Sequence, residues 1–146
     1  MTAGTDVFAG LHDQQDLAAL VRDLSDEEVN RLVEDAGVEA TLDRLFTLMV
    51  EAFDPEQAAG QSAATQWEVS AGGETFTYHV IIDAGTCRAG TGPVPSPRIT
   101  LAQGLSDFIR FMAGQTNAVT AFMTGKMKVT GDVMFGPTLE SFFRRS

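Results

Sequence analysis

The sequence predicts an α+β domain, and three observations carry that expectation. Apolar residues recur at helical spacing through the first third of the chain, the period changes to two at Thr65, and short capped helices then alternate with strands until five strands are counted. At 146 residues the chain suits one domain, which by size scaling buries roughly 68 to 70% of the surface its unfolded form exposes.

Residues 1 to 12 are small and mixed, and fraying or loose docking is expected there. Leu17, Leu20, Val21 and Leu24 then repeat at helical spacing, and Ser25 with Glu28 forms a capping box that starts a second helix. Val29, Leu32, Val33 and Ala36 make its apolar stripe, and Gly37 is placed to end it in the left-handed conformation. A third helix follows, with Val38, Leu42, Leu45, Phe46, Met49 and Phe53 on one broad face, and Asp54-Pro55 stops it. Trp67 and Val69 alternate with polar neighbours, Gly72-Gly73 turns the chain, and Phe76, Tyr78, Val80 and Ile82 share one face of the returning strand. A short strand over 86–91, a proline-rich loop over 90–97 and a strand at Ile99 and Leu101 come next. Ser106 is the expected cap of a helix ended by Gly114, and Asn117 that of a helix ended by Gly125. Residues 126–130 form the fifth strand, and a last helical piece begins near Pro137, above a basic Arg144-Arg145 end that suits the helix dipole.

The net charge is −10, and residues 1–54 hold 13 acids against 3 bases while the remainder balances at 7 against 7. Such a chain repels phosphate backbones, which argues against a nucleic-acid partner. The acidic third reads either as a solvated face or as a surface that docks on a protein partner. Cys87 is the only cysteine, no secretory pattern opens the chain, no apolar run nears the roughly 20 residues that span a bilayer, and Arg-Arg-Ser is not a peroxisomal address, so a cytoplasmic protein without stable membrane insertion is expected. Two lysines against eight arginines suit a GC-rich bacterial gene.

Groupings that carry chemistry are scarce. His12 lies in the N-terminal stretch, His79 falls on the strand face opposite Tyr78, and neither belongs to a metal motif, so no metal, cofactor or catalytic residue is expected. Cys87 reads as a buried, inert thiol. The notable concentration lies between residues 108 and 143, which hold six phenylalanines and four methionines but only Ile109 and Leu139 from the leucine and isoleucine class. Pliant side chains of this kind suit a core, and they also suit the wall of an apolar cavity.

The run PRITLAQGLSDFIRFMAGQTNAVTAFMTGKMKVTGD, residues 97–132, resembles the sterol carrier protein (type two) lipid-binding domain, and WEVSAGGETFTYHVIIDAG resembles its opening hairpin. The resemblance implies a mixed five-stranded sheet covered by helices, with an apolar tunnel for fatty acids, acyl-CoA, sterols or phospholipids. It divides the chain into an acidic helical extension, 1–36, which is placed to cover one tunnel mouth, and a lipid-binding body, 37–146. It implies a ligand lining of Phe108, Met112, Phe122, Met123, Met127, Val129, Met134, Phe135, Leu139, Phe142 and Phe143, with Phe46 and Met49 from the third helix. The expected function is non-enzymatic binding and intracellular transfer of a lipid, and the alternative is an accessory module that docks through its acidic helices. Burial of about fifteen methylenes at ~0.8 kcal/mol each supplies of order 10 kcal/mol, so no recognition motif is required. Lys126 and Lys128, the only lysines, are expected to point outward, either to discourage pairing at a sheet edge or to hold a lipid headgroup.

Overall fold

The computed structural model describes Phe8 and residues 10–143; the expected fraying of residues 1–7 and 9, and the basic Arg144-Arg145 end, lie outside the described residues. Helix α1 spans Gln14–Val21, capped by the Asp13 carboxylate, which accepts from the Asp16 N–H. Helix α2, Asp26–Ala36, opens with the predicted capping box: the Glu28 N–H donates to Ser25 Oγ at 3.1 Å and the Ser25 N–H donates to Glu28 Oε1 at 2.8 Å. Those hydrogen bonds hold the Glu28 carboxyl below the usual carboxylate range. Gly37, at φ 99° and ψ 121°, has the positive φ that favours glycine but lies outside the left-handed helical well, and it serves both as the end of α2 and the start of α3, Val38–Glu51. One further turn of helix, α4 over Pro55–Ala58, was not expected; Asp54 caps it and Pro55 supplies its first position.

Strands β1 (Ala63–Ala71), β2 (Glu74–Asp83) and β3 (Thr86–Thr91) form a meander, and β4 (Ile99–Gly104) returns to lie parallel to β1. Positive φ at Gly72 and Gly73 makes the tight first turn that the sequence predicted. Strand β5 (Met127–Gly131) pairs antiparallel with β4, giving the order β3-β2-β1-β4-β5 in a mixed sheet. Lys128 therefore stands on an edge strand, outward, as its alternation with buried Met127 required. Lys126 precedes the strand, and its N–H caps the preceding helix at Ala121 O.

Helix α5 spans Leu105–Met112. Gly104, not Ser106, precedes it, because β4 runs straight into the helix. Helix α6, Ala118–Met123, has the predicted Asn117 cap, and α7 covers Phe135–Ser141 with Pro137 in its first turn. Gly114 and Gly125 end α5 and α6 at positive φ, as expected of residues that must adopt a conformation costly for a side chain.

The sheet buries one face. Thr65, Trp67 and Val69 of β1 and Ile99, Leu101 and Gln103 of β4 point to the helices, while Gln66, Glu68, Thr100 and Ala102 point away. At the centre the Phe46 ring stacks on Tyr78 at 4.4 Å and on Phe108 at 5.2 Å, with Trp67 edge-on at 6.0 Å. The Tyr78 hydroxyl donates to Asp43 Oδ1 at 2.7 Å, and burial followed by that acidic partner raises its pKa far above normal.

Arg110 of α5 fixes the two N-terminal helices: its guanidinium donates to Val21 O at 2.9 Å and to Leu24 O at 2.5 Å, and it pairs with Asp26 at 3.2 Å. Leu17, Val21, Val29 and Val33 accordingly share one core with the rest of the chain. Replacement Arg110→Ala is expected to cost about 2 to 3 kcal/mol by leaving half-buried carbonyls unpaired. Chemical denaturation reads the loss, and amide exchange should quicken first in α1 and α2.

Candidate functional site

Where the helices meet the middle of the sheet they do not close completely. A cavity of about 210 Å³ remains above Trp67 and Leu101. The indole is held by its own strand: its N–H donates to Thr65 Oγ1 at 3.0 Å, and that hydroxyl donates to Val80 O at 2.8 Å. Leu48 and Met49 come from α3 and Ala52 from its C-cap, Phe111 and Met112 from α5, and Ala118 from α6. Gly136, Leu139 and Phe143 of the α7 segment form the opposite wall, and Leu17 of α1 closes one end. Gln14 Nε2 donates to Met112 O at 3.1 Å, so the start of α1 is pinned to the end of α5 beside the cavity.

The charged residues of the described lining other than His12 are all carboxylates. The polar part comprises His12, Asp13, Gln14, Glu51 and Glu140 and has no lysine or arginine among the described residues. Glu140 Oε1 accepts from the Ala118 N–H at 3.1 Å, a bond that ties α7 to α6 across the wall. Asp13 caps α1, and the His12 N–H donates to Asp16 Oδ2 at 2.9 Å.

Of the residues that the resemblance implied as lining, Met49, Met112, Leu139 and Phe143 stand on this cavity. Phe46, Phe108, Met127, Phe135 and Phe142 instead fill the surrounding core, and Val129 is half-buried on β5. Phe122, Met123 and Met134 are not wall residues: they are 45%, 78% and 84% exposed. The physical reason is the phase of α6, which turns Ala118 and Ala121 inward and sends the large side chains out, while Met134 sits in the turn before α7. Lys126 and Lys128 do not line the cavity either, which places them away from any head group held at the described rim.

Sequence reasoning missed Trp67, Leu101, Leu48, Phe111 and Ala118 as lining. The first two carried a signal, because they are inward-facing neighbours at mid-sheet; an alanine that lines a space by being small carries none. From the N-terminal part, His12, Asp13, Gln14 and Leu17 also stand on the cavity.

Other candidates resolve into structural roles. His79 Nδ1 lies 3.0 Å from Gly92 O on the outer face of the sheet, and a side chain at Gly90 would strike its ring. Cys87 is half-buried, and burial pushes its thiol up to about 11. Among the described residues no group of histidine, cysteine and carboxylates is placed to hold a metal, and no helix is long and apolar enough to cross a membrane.

A family model described as the SCP-2 sterol transfer family matches residues 42–144. No match is found among curated protein sequences. Solved structures of the same fold include palmitated SCP2L2 from Aedes aegypti, at 20% identity over 68% of this chain and 86% of that one, TM-score 0.56. Sterol carrier protein 2 from Yarrowia lipolytica, in its apo form, is 25% identical over 62% and 77%, TM-score 0.51. The sec-alkylsulfatase Pisa1 from Pseudomonas sp. is 17% identical over 98% of this chain but 27% of its own, TM-score 0.62. That last likeness takes in the N-terminal helices, which lie before the family match.

Two measurements follow from this geometry. Trp67 is the single tryptophan, so its emission should shift to shorter wavelength when an apolar molecule displaces water from the cavity. Alkylation of Cys87 should be slow at pH 7 and rise about tenfold per pH unit until near pH 11, because only the thiolate reacts.

Proposed function

The chain belongs to the SCP-2 sterol transfer family, and on that premise we propose that it is a non-enzymatic binder and carrier of an apolar, lipid-like molecule, held in the cavity between α7 and the sheet. The observation that carries this reading is the cavity itself, roofed by Leu139 and Phe143 and floored by Trp67 and Leu101. The Aedes aegypti domain of like fold is described as palmitated, which supports an acyl chain as one class of guest.

Size limits the guest. A cavity of about 150 Å³ holds benzene, so about 210 Å³ gives room for roughly eight carbon atoms, short of the fifteen methylenes that a full acyl tail presents. Eight methylenes at ~0.8 kcal/mol supply about 6 kcal/mol, and association costs about 4 or more of that. The remainder, about 2 kcal/mol, corresponds to binding weaker than millimolar. Tighter binding of a longer chain therefore requires the wall to move outward. The carboxylates Asp13, Glu51 and Glu140 at the lining favour an uncharged head group over an anionic one.

A second reading, an accessory module that docks through its acidic helices, draws support from the alkyl sulfatase, whose longer chain contains this fold with those helices.

Titration of Trp67 emission with straight-chain alcohols tests the carrier reading. Affinity should rise about fourfold per methylene up to roughly eight carbons and then change slope. Carboxylates of equal length should bind more weakly than the alcohols. Ala118→Phe, which fills the space without adding a tryptophan, should abolish the response of the short members. An emission spectrum that no alcohol alters would refute the carrier reading.

A further inference from the structure

Thr65, Trp67 and Tyr78 turn polar atoms from the sheet toward the core, and each is paired: the indole N–H with Thr65 Oγ1, that hydroxyl with Val80 O, and the phenol with Asp43. Gln103 of β4 is different. It is 6% exposed, and neither its Oε1 nor its Nε2 has a hydrogen-bond partner. A carboxamide offers two donor hydrogens and an acceptor oxygen, and leaving them unmade in the interior costs more than an apolar side chain of the same shape would. Its register neighbours, Val69 on β1 and Met127 on β5, are buried and apolar, as are Leu101 and Leu105 on either side of it along the chain. Packing therefore does not account for an amide at this position.

The place of that amide in the sheet gives it a use. Trp67 and Leu101 pair in register and floor the cavity, and Val69 with Gln103 forms the next inward-facing rung, about 7 Å further along the strands. A guest that fills the cavity and extends along β4 beyond Leu101 meets Gln103 next. The side chain is unbranched, so rotation about its own torsions turns the amide back toward Leu101. Met127, its neighbour across the ladder, is of the pliant kind that yields to such a turn.

We propose that Gln103 is the inner polar anchor of this site and selects an apolar guest that carries a hydroxyl group on its buried end. The inference rests on the carrier reading and deepens it by naming the chemistry of that end. A hydroxyl donates to Oε1 or accepts from Nε2, so either orientation of the amide is served. A methyl end leaves the whole carboxamide orphaned, and a carboxylate end brings an unpaired charge into the core. The polar residues of the lining, His12, Asp13 and Gln14 among them, are left to meet the guest's other end. The guest class is thus a chain or ring skeleton with an uncharged hydroxyl at the end that enters first.

Binding of n-octanol and of α,ω-octanediol, each read by Trp67 emission, tests this. In the parent the diol should bind at least as tightly as octanol, because its second hydroxyl is received at Gln103. Gln103→Met keeps the length of the side chain and removes the amide, so it should fold at least as stably, bind octanol unchanged and bind the diol about tenfold more weakly. In a nitrogen-correlated NMR spectrum the Gln103 side-chain amide signals, identified by their loss in Gln103→Met, should shift when the diol is added. The inference is overturned if the parent binds the diol about tenfold more weakly than octanol, if Gln103→Met leaves the diol unaffected, or if the amide signals stay still while Trp67 reports the diol bound. Should neither compound alter Trp67 emission, the carrier reading fails and this inference with it, whereas octanol binding without the dependence of the diol on Gln103 is failure of the inference alone.

Discussion

A sheet with one face to bury governs the rest of this molecule. Alternation along β1 and β4 sends every large apolar side chain the same way, so helices must cover that face, and they come from both ends of the chain. The parallel pairing of β1 with β4 follows from the long connection over 92–98, which crosses the other face. Along it, His79 engages Gly92 O, the Val94 N–H donates to Gln66 Oε1 at 3.1 Å and the Arg98 N–H donates to Ala64 O at 2.8 Å. With the outer face thus taken up by strand side chains and a proline-rich loop, the covering helices are gathered on one side.

The place where the covering helices fail to close is decided by small residues. Ala52, Ala118 and Gly136 surround Trp67 and Leu101, and none of the three reaches far enough to fill the space between them. The bulky residues nearby do close their own gaps: Phe135 meets Phe142 at 5.9 Å and carries the Arg98 guanidinium 3.7 Å above its ring, while Arg98 also pairs with Asp132 at 3.1 Å. A wall is therefore built from rigid packing around a void that small side chains preserve.

Signals confined to a few residues were legible in the sequence. The Ser25 and Glu28 capping box, the Asn117 cap, the glycine ends of α5 and α6 and the Gly72-Gly73 turn each depend on neighbours within about one turn of chain, and each is where its residues place it. The cavity lining was less legible because it depends on helix phase against a distant sheet. Of the large pliant residues, Met49, Met112 and Phe143 stand on the cavity, yet Phe122, Met123 and Met134 face outward, and the void lies beside alanines that no pattern distinguishes. The start of α5 was misplaced for a similar reason: Ser106 is a good cap in isolation, but pairing of Gln103 and Gly104 with their neighbours carried the strand up to Leu105. The contribution of α1 to the cavity end rests on Gln14 reaching the carbonyl of Met112, 98 positions away, which no local spacing reveals.

The attachment of α7 has a mechanical meaning. This helix belongs to no ladder; its far end is joined to the end of α3 by an isolated bridge between Phe53 and Phe143 and by the Asp54 N–H donating to Phe142 O at 2.7 Å. Its other ties are the Glu140 bond to the Ala118 N–H and the burial of Phe135, Leu139 and Phe142, so packing and a few hydrogen bonds hold it, whereas ladders hold the sheet-borne part of the boundary. Displacing α7 would therefore expose apolar side chains while leaving every ladder intact, which sets its attachment apart from the woven frame behind it.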